Sequence, residues 1–400
     1  MAFTKRQSMT AILVLGLLSA IGPLSIDMYL PGFEGIAASL DTSVAQVQLS
    51  LTSFFIGIAA GQLIYGPLLD RFGRKRPLLV GLVIYILASF GCAFIDSADS
   101  LVAYRFVQAL GSCAGMVASR AMVRDFFPPQ EAARVFSWLM LVTGVSPILA
   151  PTIGSYIMRV GDWHGIFVVL GSIGIAVFVA VVLFLPPAKQ PDKSISLKPK
   201  AVFTSFYRVL SVRQFLSYAF SGALASAGLY AYLAGSPFVM TNLYGLTETQ
   251  YGLVFAMAAA ALVIATQING VLLNRIPSER LAKGALILQS FFGILLAALT
   301  AAGWINLPIM VGLIFLFLGC QGFVFPNTSA LSLIPFRKLA GSASAMLGCI
   351  QMGIGAISSA LVSYFHNMTA VPMTAIMAVC ALSSLLVIMT ATPSRRNSEF

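Results

Sequence analysis

Apolar residues run along this chain in long blocks, separated by short polar and mostly basic stretches. The blocks fall near 9–33, 44–69, 77–96, 101–122, 135–158, 164–185, 214–240, 249–272, 284–303, 308–331, 340–365 and 370–392. About 20 apolar residues in a helix cross the hydrocarbon layer of a bilayer. No water is present there to satisfy a free strand edge, so each block is predicted to be a helix. Lys5 and Arg6 precede the first block as they would in a signal peptide, but the block runs from Met9 to Phe33. That is too long for a signal core, so it is predicted to be a retained first span. The expected fold class is an all-α membrane protein with 12 transmembrane helices.

Composition agrees with this pattern. Apolar residues make up 58% of the 400, and charged residues only 9%, against about 25% in a soluble domain. Length alone would suggest two or three soluble domains, and the hydropathy overrides that prior. The net charge of +11 would raise nucleic acid as a partner if it were spread over a soluble surface. Its placement excludes that reading. With the N-terminus inside, the inner side holds 22 of the 24 Lys and Arg residues: Lys5 and Arg6; Arg71, Arg74, Lys75 and Arg76; Arg120, at the inner end of its block, Arg124 and Arg134; Lys189, Lys193, Lys198, Lys200, Arg208 and Arg213; Arg275, Arg280 and Lys283; Arg337 and Lys338; Arg395 and Arg396. Only Arg159 is in an outer loop, and Arg105 is inside a span. This is the positive-inside bias of a cytoplasmic membrane face, with both termini cytoplasmic. The five cysteines all fall in apolar blocks without metal-ligand spacing, so they read as small packing residues.

The longest stretch between blocks, 186–213, is rich in Pro and Lys. It divides the chain into an N-terminal six-helix half, 1–185, a cytoplasmic linker, and a C-terminal half, 214–400. The halves echo each other. Gly66-Pro67-Leu68-Leu69-Asp70-Arg71 is followed 204 residues later by Gly270-Val271-Leu272-Leu273-Asn274-Arg275, each after the second span of its half. Two pseudo-symmetric halves are a recurrent transporter plan, with the solute site between them.

The segment from Gly66 to Arg76, which includes Asp70, Arg71, Gly73, Arg74 and Lys75, resembles the loop 2–3 signature of the major facilitator superfamily. Arg105-Phe106-Val107-Gln108-Ala109-Leu110-Gly111 is similar to its helix 4 motif. The stretch from Gly144 to Gly154, with Pro147 and Pro151, resembles the antiporter motif of helix 5, with Ser146-Pro147 where the general pattern has Gly-Pro. Ser25-Ile26-Asp27-Met28-Tyr29-Leu30-Pro31, Gly61-Gln62-Leu63-Ile64-Tyr65-Gly66, Met122-Val123-Arg124-Asp125 and Ser236-Pro237-Phe238-Val239 resemble the bicyclomycin-resistance and chloramphenicol/florfenicol exporter subfamily. The resemblance implies the major facilitator fold, proton-coupled efflux of small, mostly neutral antimicrobial compounds, no cofactor other than the proton gradient, and a monomer in the bacterial inner membrane.

Of the thirteen acids, only Asp27 lies inside a span. An acid there costs about 2.5–3.5 kcal/mol on insertion scales, so it is expected to be functional. A carboxyl that gains and loses a proton is what a proton-coupled carrier needs. Asp27 and Arg105 both sit roughly 6–9 Å below the outer boundary, at 1.5 Å per residue. Comparable depth permits pairing, and the expectation is that protonation of Asp27 weakens an Asp27–Arg105 interaction. The alternative is a static pair that fixes helix packing. Asp70, Arg74 and Asp125 form, by the resemblance, a charge cluster that latches the inner side closed, with Gly66 and Gly73 allowing close approach and a tight turn. The alternative is an ordinary positive-inside loop in which Arg71, Lys75 and Arg76 set topology and touch anionic lipid. Pro147 and Pro151 are expected to bend the fifth helix, and Gly144 and Gly154 to pack it closely on a neighbour; generic membrane-helix proline is the bland reading.

Substrate contacts are expected from Tyr29, Gln62, Tyr65, Tyr232, Phe238, Gln267, Gln321 and Asn327, aromatic and amide groups suited to a mostly apolar solute. The second half has no charge inside a span, which argues against phosphates and dicarboxylates. Trp163, His164, Trp304 and His366 fall at outer boundaries and read as anchors. No metal site is expected. The chain lacks the clustered His, Asp, Ser or Cys of an enzyme and the charge ring or carbonyl filter of a channel. A carrier for a small metabolite, such as an amino acid like cysteine, is the competing reading.

Overall fold

The computed structural model describes residues 5–186, 191–192, 197–336 and 339–389. Lys189, Lys193, Arg337, Lys338, Arg395 and Arg396, expected on the inner face, lie outside them, as do the side chains of Lys5, Arg6 and Arg134. Fourteen α-helices are described: α1 (Lys5–Asp27), α2 (Phe33–Ser39), α3 (Val44–Phe72), α4 (Lys75–Cys92), α5 (Ala98–Phe126), α6 (Pro129–Val160), α7 (Trp163–Phe184), α8 (Pro199–Leu210), α9 (Arg213–Phe238), α10 (Glu248–Leu272), α11 (Ser278–Ala301), α12 (Leu307–Leu333), α13 (Ala340–Tyr364) and α14 (Val371–Met389). Eleven stretches among the described residues are helical, long and apolar enough to cross a membrane. The remaining expected span, 135–158, is covered by the 32-residue α6. The protein is an all-helical, multi-pass membrane protein.

The chain forms two compact units, 1–42 with 53–202, and 43–52 with 203–400. The short 43–52 segment groups with the second unit, where Thr52 and Ser359 share a 2.8 Å hydrogen bond. The expected linker is not bare loop. It holds α8, a 12-residue amphipathic helix that buries Phe206 and Val209 and leaves Phe203 and Tyr207 exposed.

In the first unit the expected single span 9–33 is broken. α1 stops at Asp27, a tight turn covers Leu30–Gly32, and α2 resumes at Phe33. Pro31 is the cause: the N–H it lacks is the one a continuing helix would give the Asp27 carbonyl. Small residues then bring backbones together. Gly57 and Gly61 on α3 lie against Ala109 and Cys113 of α5, and Gly111 of α5 lies against the backbone of Gly81 and Tyr85 on α4. Gly154 of α6 abuts the carbonyl of Met28, next to the break. Gly-x-x-x-Gly spacing and close backbone approach are how helices associate where lipid supplies no hydrophobic drive.

In the second unit α9 plays the corresponding part. Gly222 meets Thr328 of α12, Gly235 meets Met373 of α14, and Ser221 hydrogen-bonds Ser384 of α14 at 3.0 Å. This first helix is also irregular near its end, where Pro237 precedes a π turn over Val239–Leu243.

Candidate functional site

Asp27 is the last residue of α1, 4% exposed, at the point where the helix stops. No salt bridge reaches it among the described residues. The expected Asp27–Arg105 pair is therefore not formed. Arg105, on α5 and fully buried, is held by rings instead. Its guanidinium carbon lies 4.1 Å from the Tyr29 ring centroid and 4.2 Å from that of Phe54, with Phe167 at 5.8 Å. A desolvated cation over one ring is worth about 2 kcal/mol or more. The two ring contacts help hold the charge where a carboxylate was expected.

A hydrogen-bond chain leads away from this cage. Arg105 Nη1 donates to Gln108 Oε1 at 2.7 Å, and Gln108 Nε2 donates to Ser89 Oγ at 2.8 Å. Ser89 Oγ donates to the Tyr85 carbonyl at 2.7 Å, and the Tyr85 hydroxyl shares a 2.9 Å bond with Ser25, two residues before Asp27. Nε and Nη2 of Arg105 have no hydrogen-bond partner. The site thus joins α1, α3, α4, α5 and α7 of one unit. It contains a lone carboxyl at a helix break and a caged guanidinium with two uncommitted donors.

The charge cluster of Asp70, Arg74 and Asp125 that the resemblance implied is formed. Arg74 Nη1 donates to Asp70 at 2.5 Å and Arg74 Nε to Asp125 at 2.8 Å, tying the end of α3 to the end of α5. Burial of Arg74 works against its charge. The bonds to Asp125 and Asp70 more than offset that, and its pKa is raised. Gly73 has φ +79°, a conformation that a side chain disfavours. Replacing a buried charge's partner costs about 3–5 kcal/mol, and less where water reaches the group. The Asp70 side chain is 36% exposed and that of Asp125 20%. We expect thermal unfolding in detergent to drop most for Arg74→Ala, by about 2–3 kcal/mol, less for Asp125→Ala and least for Asp70→Ala.

The remaining expected site residues are dispersed. Tyr29 belongs to the Arg105 cage. Gln62 is buried on α3. Tyr65 turns its hydroxyl toward Gly81 of α4. Pro147 and Pro151 lie inside α6, Gly144 lies on the same helix, and Gly154 makes the expected close seam with Met28. In the second unit Tyr232 stacks on Phe255 at 5.9 Å, Phe238 meets His366 edge-on at 4.5 Å, and Gln267 is exposed on α10. Gln321 accepts from Gln289 at 3.2 Å and donates to Ser226 at 2.7 Å, while Asn327 donates to Asn269 at 2.6 Å. Gln289, Asn269, Phe54 and Phe167 were not expected. The two amides could have been found as polar residues within spans; the two phenylalanines carry no such signal. Trp163 is not an interfacial anchor. It is buried and stacks on His164 at 3.7 Å, whereas Trp304 is exposed as an anchor would be.

Residues 15–360 match the model of the Major Facilitator Superfamily. The chain belongs to the major facilitator superfamily. A relative from Haemophilus influenzae, described as a bicyclomycin resistance protein homolog, is 33% identical over 378 residues, 94% of each chain. The multidrug resistance protein MdtL of Escherichia coli is 29% identical over 93% of each chain. A D-xylose–proton symporter of known structure superposes with a TM-score of 0.73 at 15% identity, covering 98% of both chains, which shows the shared fold. The protein is a transporter of this superfamily and not an enzyme.

Proposed function

We propose that this transporter exports small, mostly neutral antimicrobial compounds in exchange for protons, with chloramphenicol, florfenicol and bicyclomycin as the first candidates. The observation that carries the reading is the buried Asp27 carboxyl at the α1 break, with no basic side chain paired to it. A carboxylate with a permanent counter-ion is a structural element; one without can bind and release a proton as its surroundings change. The drug-resistance relatives support the direction and the class of solute. The proton gradient supplies the energy, and the protein works as a monomer in the bacterial inner membrane with both termini cytoplasmic.

In this reading Tyr29 and Arg105 connect the proton site to the substrate, Arg105 through its two uncommitted donors. Gln62, Tyr232, Phe238, Gln267, Gln321 and Asn327 offer rings and amides to a solute without net charge. The Asp70–Arg74–Asp125 cluster, with Gly66 and Arg71 near it in sequence, governs conformational change on the inner side, and α6, with Pro147 and Pro151 inside it and Gly154 close against Met28, suppresses leak. Drug susceptibility of cells with and without the gene tests the function. Tolerance is expected to rise severalfold for at least one of the three compounds, and a protonophore should erase the difference in drug accumulation. No change for any compound sinks the drug reading and leaves export of a small metabolite, for which the uncharged amides of the second unit are also suited.

A further inference from the structure

An apolar groove of about 460 Å³ opens on the first unit between α3 and α4. Leu68 and Phe72 of α3, Val80 and Ile84 of α4, and Leu110 of α5 line it, and Arg76 is the lining residue nearest the start of α4. Val80 and Phe72 are exposed, as expected of a surface that meets hydrocarbon. From Arg76 to Ile84 the groove runs along about 12 Å of helix, at 1.5 Å per residue. One leaflet of the hydrocarbon core is about 15 Å deep, so the groove spans most of it.

The basic residues beside the groove differ in what they already hold. Arg74 is committed to Asp70 and Asp125. Lys75 donates to the carbonyls of Val182 and Leu185. Arg71 lies 6.0 Å from the Phe72 ring centroid. Arg76 is exposed, in the first turn of α4, and makes no hydrogen bond or ion pair among the described residues. The groove therefore ends in an uncommitted guanidinium at a helix N-terminus, where the backbone also favours an anion. The surrounding cations disfavour an ammonium group.

We propose that this groove seats one anionic phospholipid, with an acyl chain between α3 and α4 and its phosphate on Arg76. The site is separate from Asp27 and Arg105 and does not depend on which solute is carried. Its occupant is distinguished from ordinary surrounding lipid by headgroup selectivity and by fixed residues.

Native mass spectrometry of the full chain, in detergent with phosphatidylglycerol or phosphatidylcholine of identical chains, tests it. One phosphatidylglycerol is expected to be retained over phosphatidylcholine by about fivefold, the ratio that one basic residue near an anionic surface carries. Arg76→Gln should bring phosphatidylglycerol down to the phosphatidylcholine level. Val80→Trp, which fills the groove, should reduce both. Arg280→Gln, an exposed basic site in the second unit, should change neither. Equal retention of the two lipids, or retention of phosphatidylglycerol unaltered by Arg76→Gln or by Val80→Trp, overturns the proposal. Arg76 is exposed, so Arg76→Gln is expected to fold and keeps the test decisive if Val80→Trp does not fold.

Discussion

Asp27→Asn is expected to abolish uphill export while leaving the protein folded and able to bind its solute. The substitution keeps the size of the side chain and removes the one acid inside an expected span, the group proposed to carry the proton. One pH unit is worth about 1.4 kcal/mol per proton, so one-for-one exchange of a neutral solute can sustain about a tenfold concentration ratio. Membrane potential adds about 2.3 kcal/mol per 100 mV for the charge moved. Without the carboxyl, neither source is coupled to the solute, and the ratio should relax to one. Everted membrane vesicles with an imposed pH gradient read this directly. A variant that still concentrates solute in response to the gradient removes Asp27 from coupling. Retained solute counterflow, with no pH dependence, is the expected companion result.

Arg105→Met separates a structural from a functional role for the caged guanidinium. Burying an arginine costs about 2.5–3.5 kcal/mol on insertion scales. Ring contacts with Tyr29 and Phe54 return about 2 kcal/mol each, and the charged bond to Gln108 adds about 1.5–3 kcal/mol. Methionine relieves the burial cost, keeps much of the packing and loses the rest. The opposing changes leave a net shift of about 1–3 kcal/mol, which we expect to lower the unfolding temperature by only a few degrees. Export should fall at least about tenfold, because the donors offered to the solute are gone. Arg105→Lys should fail as well, since an ammonium is not a plane that fits between two rings and bonds Gln108. Full export in Arg105→Met, whatever its stability, assigns the residue to packing alone.

The spans were legible because a bilayer imposes their length, and most edges lie within a few residues of those expected. The inner-loop cluster was legible through the family resemblance of the segment from Gly66 to Arg76, in which Gly73 turns the chain between Asp70 and Arg74. What surrounds Arg105 was not. Lipid is as apolar as the inside of the bundle, so hydrophobic pattern does not say which face of a span packs and which meets acyl chains. Phe54 and Phe167 therefore looked like any other apolar residues, and depth alone suggested Asp27 as the partner. The break at Asp27 was missed for a related reason. Leu30-Pro31-Gly32-Phe33 is as apolar as the helix before it, and only the missing N–H of Pro31 marks the stop. α8 was missed because it is too short and too polar to span.

The glycine contacts among α3, α4 and α5 have a mechanical consequence. Where backbones touch through Gly57, Gly61, Gly81 and Gly111, little side-chain slack remains to be taken up, and close-packed interfaces are bistable or rigid rather than elastic. These three helices form a stiff plate. The corner between Asp27 and Phe33, where helical hydrogen bonding is interrupted, lies outside this plate and is less constrained than the helices within it. Asp27, the carboxyl proposed to carry the proton, lies at that corner, so in the proposed exchange its charge changes where the first unit's helix is already interrupted.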